Sequence, residues 1–243
     1  MTTKRWIAAG ALVLALALVG CQWWPHTVSG NGNMRSETRS VAGFSEISVG
    51  GPFEVEVIPN ADFGVVLEAD ENLLRYIHVD KEGDRLKVKV RNGVNLRSKK
   101  GIKLRISLPE LTAISFAGSG NMRVKGVLKT DQRLTVAVAG SGNVYAEVDC
   151  PDIDADIAGS GTIEMTGRTR SVDLSIAGSG DYKAEKLLSE STKVSVAGSG
   201  SAWVYASADL EVSIAGSGDV YYRGQPANLK RSIAGSGQVE PLN

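Results

Sequence analysis

The chain has 243 residues, of which 42% are hydrophobic, and its 27 Lys and Arg residues balance its 27 Asp and Glu residues. A chain of this length and composition can bury a hydrophobic core. The balanced charge gives no sign of a polyanion partner, so nucleic-acid binding is not expected. The 28 glycines follow no collagen period and are interspersed among Val, Ile and Ala, which favours repetitive β structure over disorder.

Residues 1–20 are predicted to be a lipoprotein signal peptide. A basic start precedes an apolar run that ends at Val19, a pattern typical of secretory signals and too short for a comfortable membrane span. The run closes with LVGC, which resembles the lipobox of bacterial lipoproteins. The resemblance implies that Cys21 becomes the first mature residue and carries a diacylglyceryl thioether and an amide-linked fatty acid such as palmitate. An ordinary signal peptide or anchor with a chance cysteine is the alternative.

Residues 21–40 are expected to be a flexible tether between the lipid and the folded body. The segment is polar, rich in Gly and Asn, and lacks apolar periodicity. Trp23 and Trp24 follow the cysteine directly, where indole rings favour the headgroup zone of a membrane. Gln22 rather than Asp follows Cys21, and by resemblance to Gram-negative sorting rules this predicts anchoring in the outer membrane of the cell envelope.

Residues 41–116 are predicted to form an N-terminal β segment that is continuous with the rest of the fold. Apolar and polar residues alternate in FEVEVI from Phe53, in LKVKV from Leu86 and in IKLRI from Ile102, as in strands with one solvated face. The segment from Asp70 to Tyr76 is the only candidate for a helical turn.

Residues 117–243 carry one sequence unit seven times. The core AGSG begins at Ala117, Ala139, Ala158, Ala177, Ala197, Ala215 and Ala234, at spacings of 22, 19, 19, 20, 18 and 19 residues. On both sides of each copy, apolar and polar residues alternate as they do in β-strands. The spacing matches one coil of a parallel β-solenoid and is shorter than a propeller blade. The sequence therefore predicts an all-β protein, a parallel β-helix whose AGSG corners recur about every 19–20 residues, with glycine allowing neighbouring coils to approach closely.

These repeats, the opening SVAGFSEISVGGPFEVEV and the segment DENLL resemble the family described as "putative auto-transporter adhesin, head GIN domain". The resemblance covers about Val41 to Val239. It implies a β-helical fold in proteins of the bacterial envelope, no known catalytic residues and an adhesive role.

A candidate binding surface follows from the repeat alignment. The third residue after each GSG is Arg123, Tyr145, Glu164, Lys183, Trp203, Tyr221 or Glu240. Stacked coils would place Trp203 and Tyr221 side by side on the outer face, with Tyr145 in the same column. Exposed aromatic groups suit a glycan or an envelope protein as partner. The alternative is an aromatic ladder that only stiffens the sheet.

An enzymatic alternative rests on carboxylates. Asp152, Asp154 and Asp156 alternate along one strand face, where they could act as acid and base on a polysaccharide, as in β-helical pectin-degrading enzymes. A solvated outer face is the simpler interpretation. No cofactor and no metal site are expected, and Cys150 has no His or other base close by in sequence. The sequence thus favours a non-enzymatic, lipid-anchored envelope protein with an adhesive or scaffold surface.

Overall fold

The structure is a computed structural model that describes residues 26–242. Within this range it contains one short helix, α1 (Glu71–Leu74), and twenty-one strands. The strands are β1 His26–Ser29, β2 Met34–Thr38, β3 Glu46–Gly50, β4 Phe53–Pro59, β5 Gly64–Asp70, β6 Ile77–Glu82, β7 Arg85–Val90, β8 Val94–Arg97, β9 Ile102–Leu108, β10 Ala113–Gly118, β11 Asn121–Lys129, β12 Leu134–Gly140, β13 Asn143–Gly159, β14 Thr162–Gly178, β15 Asp181–Leu188, β16 Ser191–Gly198, β17 Ser201–Tyr205, β18 Asp209–Gly216, β19 Asp219–Arg223, β20 Asn228–Gly235 and β21 Val239–Pro241.

Two stacks of parallel strands form the solenoid. Sheet 1 has the spatial order β7, β3, β10, β12, β13, β14, β16, β18 and β20, and each of its strands from β10 onward runs into an AGSG corner. Sheet 2 has the order β9, β4, β11, β13, β14, β15, β17, β19 and β21, and each of its strands from β11 onward leaves such a corner. The long strands β13 and β14 contribute to both sheets. The predicted fold, a parallel β-solenoid with corners at AGSG, is confirmed.

The hydrophobic core lies between the two sheets. Apolar residues alternate inward along each strand, as Val194 and Val196 do on β16, where both are 1% exposed while Ser195 between them faces solvent. Register keeps like positions together, because Val196 pairs with Ile176 on one side and Ile214 on the other. Each coil therefore buries its apolar residues against its two neighbours.

The glycine positions of the corners have no room for a side chain. Gly178 has φ +123°, and a Cβ there would lie 2.5 Å from the Gly159 carbonyl oxygen. Gly180 is buried, and a Cβ there would lie 2.7 Å from the Gly161 carbonyl oxygen and closer still to the Ile157 side chain. The backbone ladder continues through the corner, since the Ser179 amide donates to the Gly159 carbonyl at 2.8 Å. This close approach of successive coils explains why the corner recurs.

The N-terminal end of the solenoid is closed by antiparallel strands. On sheet 2, β5 pairs with β9 and β2 pairs with β5; on sheet 1, β6 pairs with β7. The helix α1 joins β5 to β6 and buries Leu73 and Leu74, so the helical turn predicted in this segment is present. The first parallel coils connect directly to the repeats through the pairs β3–β10 and β4–β11.

The expectation of a flexible tether over 21–40 is wrong for the part that the structure describes. β1 pairs in parallel with β8, and β2 pairs with β5, so this segment belongs to the folded body. Both strands are short and mostly exposed, hence neither shows the apolar alternation that marks a strand in sequence. The predicted signal peptide and Cys21 lie outside the described residues.

The C-terminal end of sheet 1 is open among the described residues. Every residue of β20 is exposed, including Leu229 at 37% and Ile233 at 41%. Arg231 occupies the inward position that Val212 holds on the preceding coil. A charge thus interrupts the apolar column at its last coil.

Candidate functional site

The outer surface of sheet 2 carries a continuous column of mostly large side chains at the third position after each corner. Each pairs in register with the next, from the third coil to the last, in the order Arg123, Tyr145, Glu164, Lys183, Trp203, Tyr221 and Glu240. The seven residues follow seven successive corners, so the corner spacing sets their alignment. We call this column the outer ladder.

Two contacts involve Trp203, toward the C-terminal end of the outer ladder. The ring centroids of Trp203 and Tyr221 lie 5.5 Å apart and their planes meet at 18°. Lys183 covers the other side of Trp203, with Nζ 5.8 Å from the ring centroid. Both faces of the indole are therefore occupied by neighbours in the column. A sugar ring cannot stack on Trp203 without displacing one of them, and the ring edge is the part left for a ligand.

Tyr145 lies lower in the outer ladder and forms a separate contact. The Arg123 guanidinium carbon stands 3.9 Å from the Tyr145 ring centroid, a cation–π arrangement. Glu164 and Lys183 separate Tyr145 from Trp203. At about 4.8 Å per strand, three steps place the two aromatic residues about 14 Å apart along the column. The structure thus brings Trp203 and Tyr221 together but leaves Tyr145 in a second cluster.

The outer ladder continues below the first repeat, which the sequence analysis missed. Arg123 pairs with Glu56 on β4, and Glu56 pairs with Arg105 on β9. Arg105 Nε donates to a Glu56 carboxylate oxygen at 3.0 Å, and Lys125 lies 3.2 Å away. These hydrogen bonds, Arg105 first, hold the pKa of Glu56 below its usual value. A cleft of about 410 Å³ opens here, lined by charged side chains on β4, β5, β9 and β11.

Two further residues flank the aromatic pair. Tyr205 lies two residues beyond Trp203 on the same side of β17, and it pairs with Arg223 on β19. Tyr205 is half-buried and Arg223 is exposed. The period of two along a strand places the fifth residue after each corner on the same face as the third, and this is the sequence signal that identifies both residues.

The three candidate carboxylates do not share one environment. The Ser171 hydroxyl donates to Asp152 at 2.7 Å, and Arg170 Nη2 donates to both carboxylate oxygens, at 2.9 and 2.8 Å; these hydrogen bonds, Ser171 first, lower the pKa of Asp152. Asp154 instead pairs directly with Asp173 on the next coil. The Asp152 carboxylate therefore stays ionised, with its charge balanced by Arg170, and it is a poor candidate for a general acid or base.

Asp156 differs from the other two. Burial first, then the charges of Asp154 and Asp173, raises the pKa of Asp156 above its usual value. A raised carboxyl pKa beside a second carboxylate is a property that general acids share, and ion-pair networks of purely structural origin share it too. No group of three His, Cys, Asp or Glu residues between His26 and Leu242 is arranged to hold a metal ion.

Cys150 is buried in the core and unpaired. Burial raises the pKa of its thiol to about 11, so the thiol stays protonated near neutral pH. No helix among residues 26–242 has the length and apolar character needed to cross a membrane.

Several solved bacterial structures are similar in fold to this chain. A protein described as a "putative adhesin" from Bacteroides fragilis superposes with a TM-score of 0.82 at 21% identity, covering 88% of this chain and 100% of its own. A "putative lipid binding protein" from Parabacteroides distasonis gives 0.74 at 25% identity, covering 89% and 100%. A "putative adhesin" from the same species gives 0.69 at 26% identity, with the same coverage.

Among curated proteins, none matches the chain. A family model does match, over residues 43–226, which include the first parallel coils and six of the seven AGSG corners. The matched stretch therefore contains most of the outer ladder and all three of its aromatic contacts. The chain belongs to the family described as "Putative auto-transporter adhesin, head GIN domain".

Proposed function

We propose that the chain is a non-enzymatic, lipid-anchored protein of the bacterial cell envelope that uses the outer ladder as an adhesive binding surface. The observation that carries the proposal is the ladder itself: aromatic rings and alternating charges in one column on the outside of sheet 2. Membership of an adhesin family supports the same class of function.

The ladder suits a partner that lies along the solenoid. Trp203 and Tyr221 are half-buried, so their ring edges remain accessible while their shared face does not. Lys183 and Glu240 stand at the two ends of this pair. Ring edges beside charges of both signs match an extended protein surface better than a stacked sugar ring. We therefore favour an envelope protein over a glycan as partner.

A binding screen tests this proposal. The chain starting at Gln22 would be presented to immobilised glycans and to purified envelope proteins, beside the double variant Trp203→Ala/Tyr221→Ala. A control variant, Ser195→Ala/Ser213→Ala, changes outward residues of sheet 1 instead. We expect a protein ligand that the ladder variant loses and the control keeps. Equal binding by all three would contradict the ladder, and a glycan as the ladder-dependent ligand would overturn the choice of partner.

The lipid anchor is proposed for Cys21, on the strength of the LVGC sequence, and outer-membrane localisation follows from Gln22. The similar structure described as lipid-binding is in line with a protein that works at a membrane. Labelling cells with a fatty-acid analogue should tag the wild type, and Cys21→Ser should lose the tag and accumulate as precursor. Equal labelling of the variant would exclude this anchor. Fractionation with the inner membrane would contradict the localisation.

The raised pKa of Asp156 favours a second candidate, a carbohydrate-active enzyme on the outer face of sheet 1. A hydrolase would lose turnover on envelope or plant polysaccharides when Asp154 or Asp156 becomes Asn. We expect no turnover in the wild type. Reducing-sugar release that depends on either residue would replace the adhesive function with an enzymatic one.

A further inference from the structure

The segment from Arg85 to Arg105 contains nine Lys and Arg residues and no Asp or Glu. Four of the nine form ion pairs with other strands: Arg85 with Glu46, Lys87 with Glu82, Lys103 with Glu68 and Arg105 with Glu56. The connection between β7 and β9 carries four more, all exposed and none in an ion pair within residues 26–242: Arg91, Arg97, Lys99 and Lys100. We call these four the basic loop.

The basic loop lies against the first strand of the described chain. The connection that carries the basic loop contains β8, which pairs with β1 from His26 to Ser29. The His26 amide donates to the Gly93 carbonyl, and the Gly30 amide donates to the Arg97 carbonyl, both at 2.8 Å. Lys100 Nζ donates to the Gly32 carbonyl at 3.1 Å. The point at which the folded body begins is therefore bordered by cations.

The turn at α1 fixes this segment in place. The buried Asp70 carboxylate accepts hydrogen bonds from the Gly32 amide and the Ser98 hydroxyl. Asn72 donates to the Ser29 carbonyl at 2.8 Å. Glu71, the exposed acid beside this turn, accepts hydrogen bonds from Asn side chains of the same segment. Asp70 and Glu71 thus place two negative charges beside the four positive charges of the basic loop, and the region keeps an excess of positive charge.

The distance from the proposed anchor to this cluster is short. Four residues, QWWP, separate Cys21 from His26. Five Cα steps span at most about 18 Å in any conformation. Two of the four intervening residues are Trp, a residue type enriched at membrane interfaces. An anchor at Cys21 would hold His26, and with it the part of the connection around Gly93, within about two Debye lengths of the headgroups at physiological ionic strength, a Debye length there being about 8 Å.

We propose that Arg91, Arg97, Lys99 and Lys100 bind the anionic phospholipid headgroups of the membrane that holds the anchor. This extends the lipid anchoring of the proposed function by adding a second, electrostatic attachment. Each Lys or Arg at an anionic surface strengthens partitioning about five-fold, and stable attachment commonly combines acyl chains with a basic patch.

The attachment also orients the solenoid. Sheet 2 runs from β9, next to the basic loop, through seven strand steps to β19, which carries Tyr221. At about 4.8 Å per step, the Trp203–Tyr221 pair lies about 30–35 Å along the solenoid from the membrane-facing end. The aromatic part of the outer ladder would then point away from the bilayer, where a partner can reach it.

Vesicle co-sedimentation tests the proposal without acyl chains. Residues 26–242 complete their own core and sheet ladders, so the chain starting at Gln22 serves as the soluble form. It would be mixed with vesicles of phosphatidylcholine alone, or of three parts phosphatidylcholine to one part phosphatidylglycerol. We expect binding to the anionic vesicles only, weakening as salt is added.

Substitution of the basic loop should abolish this binding. The quadruple Gln variant of the loop should bind at least about ten-fold more weakly. A charge-matched control replaces four exposed cations elsewhere by Gln, namely Lys186, Lys193, Arg223 and Lys230, and should bind as the parent does. The double variants Arg91→Gln/Arg97→Gln and Lys99→Gln/Lys100→Gln should each lose part of the binding, and they decide the matter if the quadruple variant does not fold.

Equal binding by the parent and the loop variants would overturn the proposal, as would equal binding to neutral vesicles or an equal loss in the charge-matched control. The result is independent of lipidation, because the soluble form carries no acyl chain. If the Cys21 labelling experiment fails, the lipid anchor is excluded but the vesicle result is unaffected. If the vesicle experiment fails, the lipid anchor at Cys21 is still possible.

Discussion

The rings of Trp203 and Tyr221 stack across adjacent coils, with centroids 5.5 Å apart and planes 18° from parallel. Such pairs contribute about 0.5–1.5 kcal/mol beyond the area that they bury. We expect a double-mutant cycle on unfolding, with Trp203→Ala and Tyr221→Ala singly and together, to give a coupling energy in this range. Urea denaturation followed by circular dichroism measures it. Additive effects of the two substitutions would mean that the stacked rings have no interaction energy of their own.

A side chain at a buried corner position should destabilise the fold strongly. Gly180→Val places a branched side chain against Ile157 and the Gly161 carbonyl, so coils must separate. We expect a loss of free energy of unfolding on the order of 3 kcal/mol. The matched control is Ser179→Val, because Ser179 is exposed at the same corner. Melting temperatures that agree for the two variants would contradict the close approach of the coils.

Stability should depend on pH through Asp156. Its pKa is raised in the folded state, so the folded chain holds the proton more tightly than the unfolded chain does. Stability should therefore fall as pH rises from the ordinary aspartate pKa of 3.8 through the raised value. Asp156→Asn should remove this part of the pH dependence and stabilise the protein at neutral pH by up to about 1 kcal/mol, the size of a cross-strand charge interaction. An unchanged pH profile of the melting temperature would argue against the repulsion.

The Cys150 thiol should resist modification. Its pKa of about 11 leaves little thiolate near neutral pH, and the residue is 6% exposed. In the chain from Gln22 it is the only cysteine, so alkylation can be followed by mass. We expect slow labelling of the native protein and rapid labelling in denaturant. Fast native labelling would show that β13 opens around Cys150.

Arg231 should keep the last coil from pairing with another molecule. It occupies an inward position between the exposed Leu229 and Ile233 on β20. A charge on an edge strand resists the addition of a further strand. Arg231→Val should therefore promote association, visible in analytical ultracentrifugation, whereas Lys230→Val on the outward side should not. If both variants stay monodisperse, Arg231 does not protect the edge strand.

The repeats made most of the solenoid predictable. Once AGSG is aligned, the pairing of Trp203 with Tyr221 follows from counting three residues past each corner, because parallel strands in register keep equal offsets side by side. The same rule located Gly180 at a buried corner. Local sequence was sufficient where each coil repeats the last.

The N-terminal end was less predictable because its pairings are not repeated. β1 and β2 are short, polar and mostly exposed, so nothing in their own residues distinguishes them from a spacer. Their positions depend on distant partners, as when Asp70 accepts a hydrogen bond from Gly32. Glu56 and Arg105 were likewise missed as members of the outer ladder, since no glycine corner of the AGSG type precedes them.

Photo-crosslinking on intact cells tests the role of the outer ladder most directly. A photoreactive amino acid at Glu164 lies in the ladder without removing an aromatic ring, and one at Ser195 lies on the outer surface of sheet 1. The account predicts a defined crosslinked partner from Glu164, lost when Trp203→Ala/Tyr221→Ala is added, and none from Ser195. The same partner from Ser195, or a Glu164 adduct that survives the loss of both rings, would contradict it.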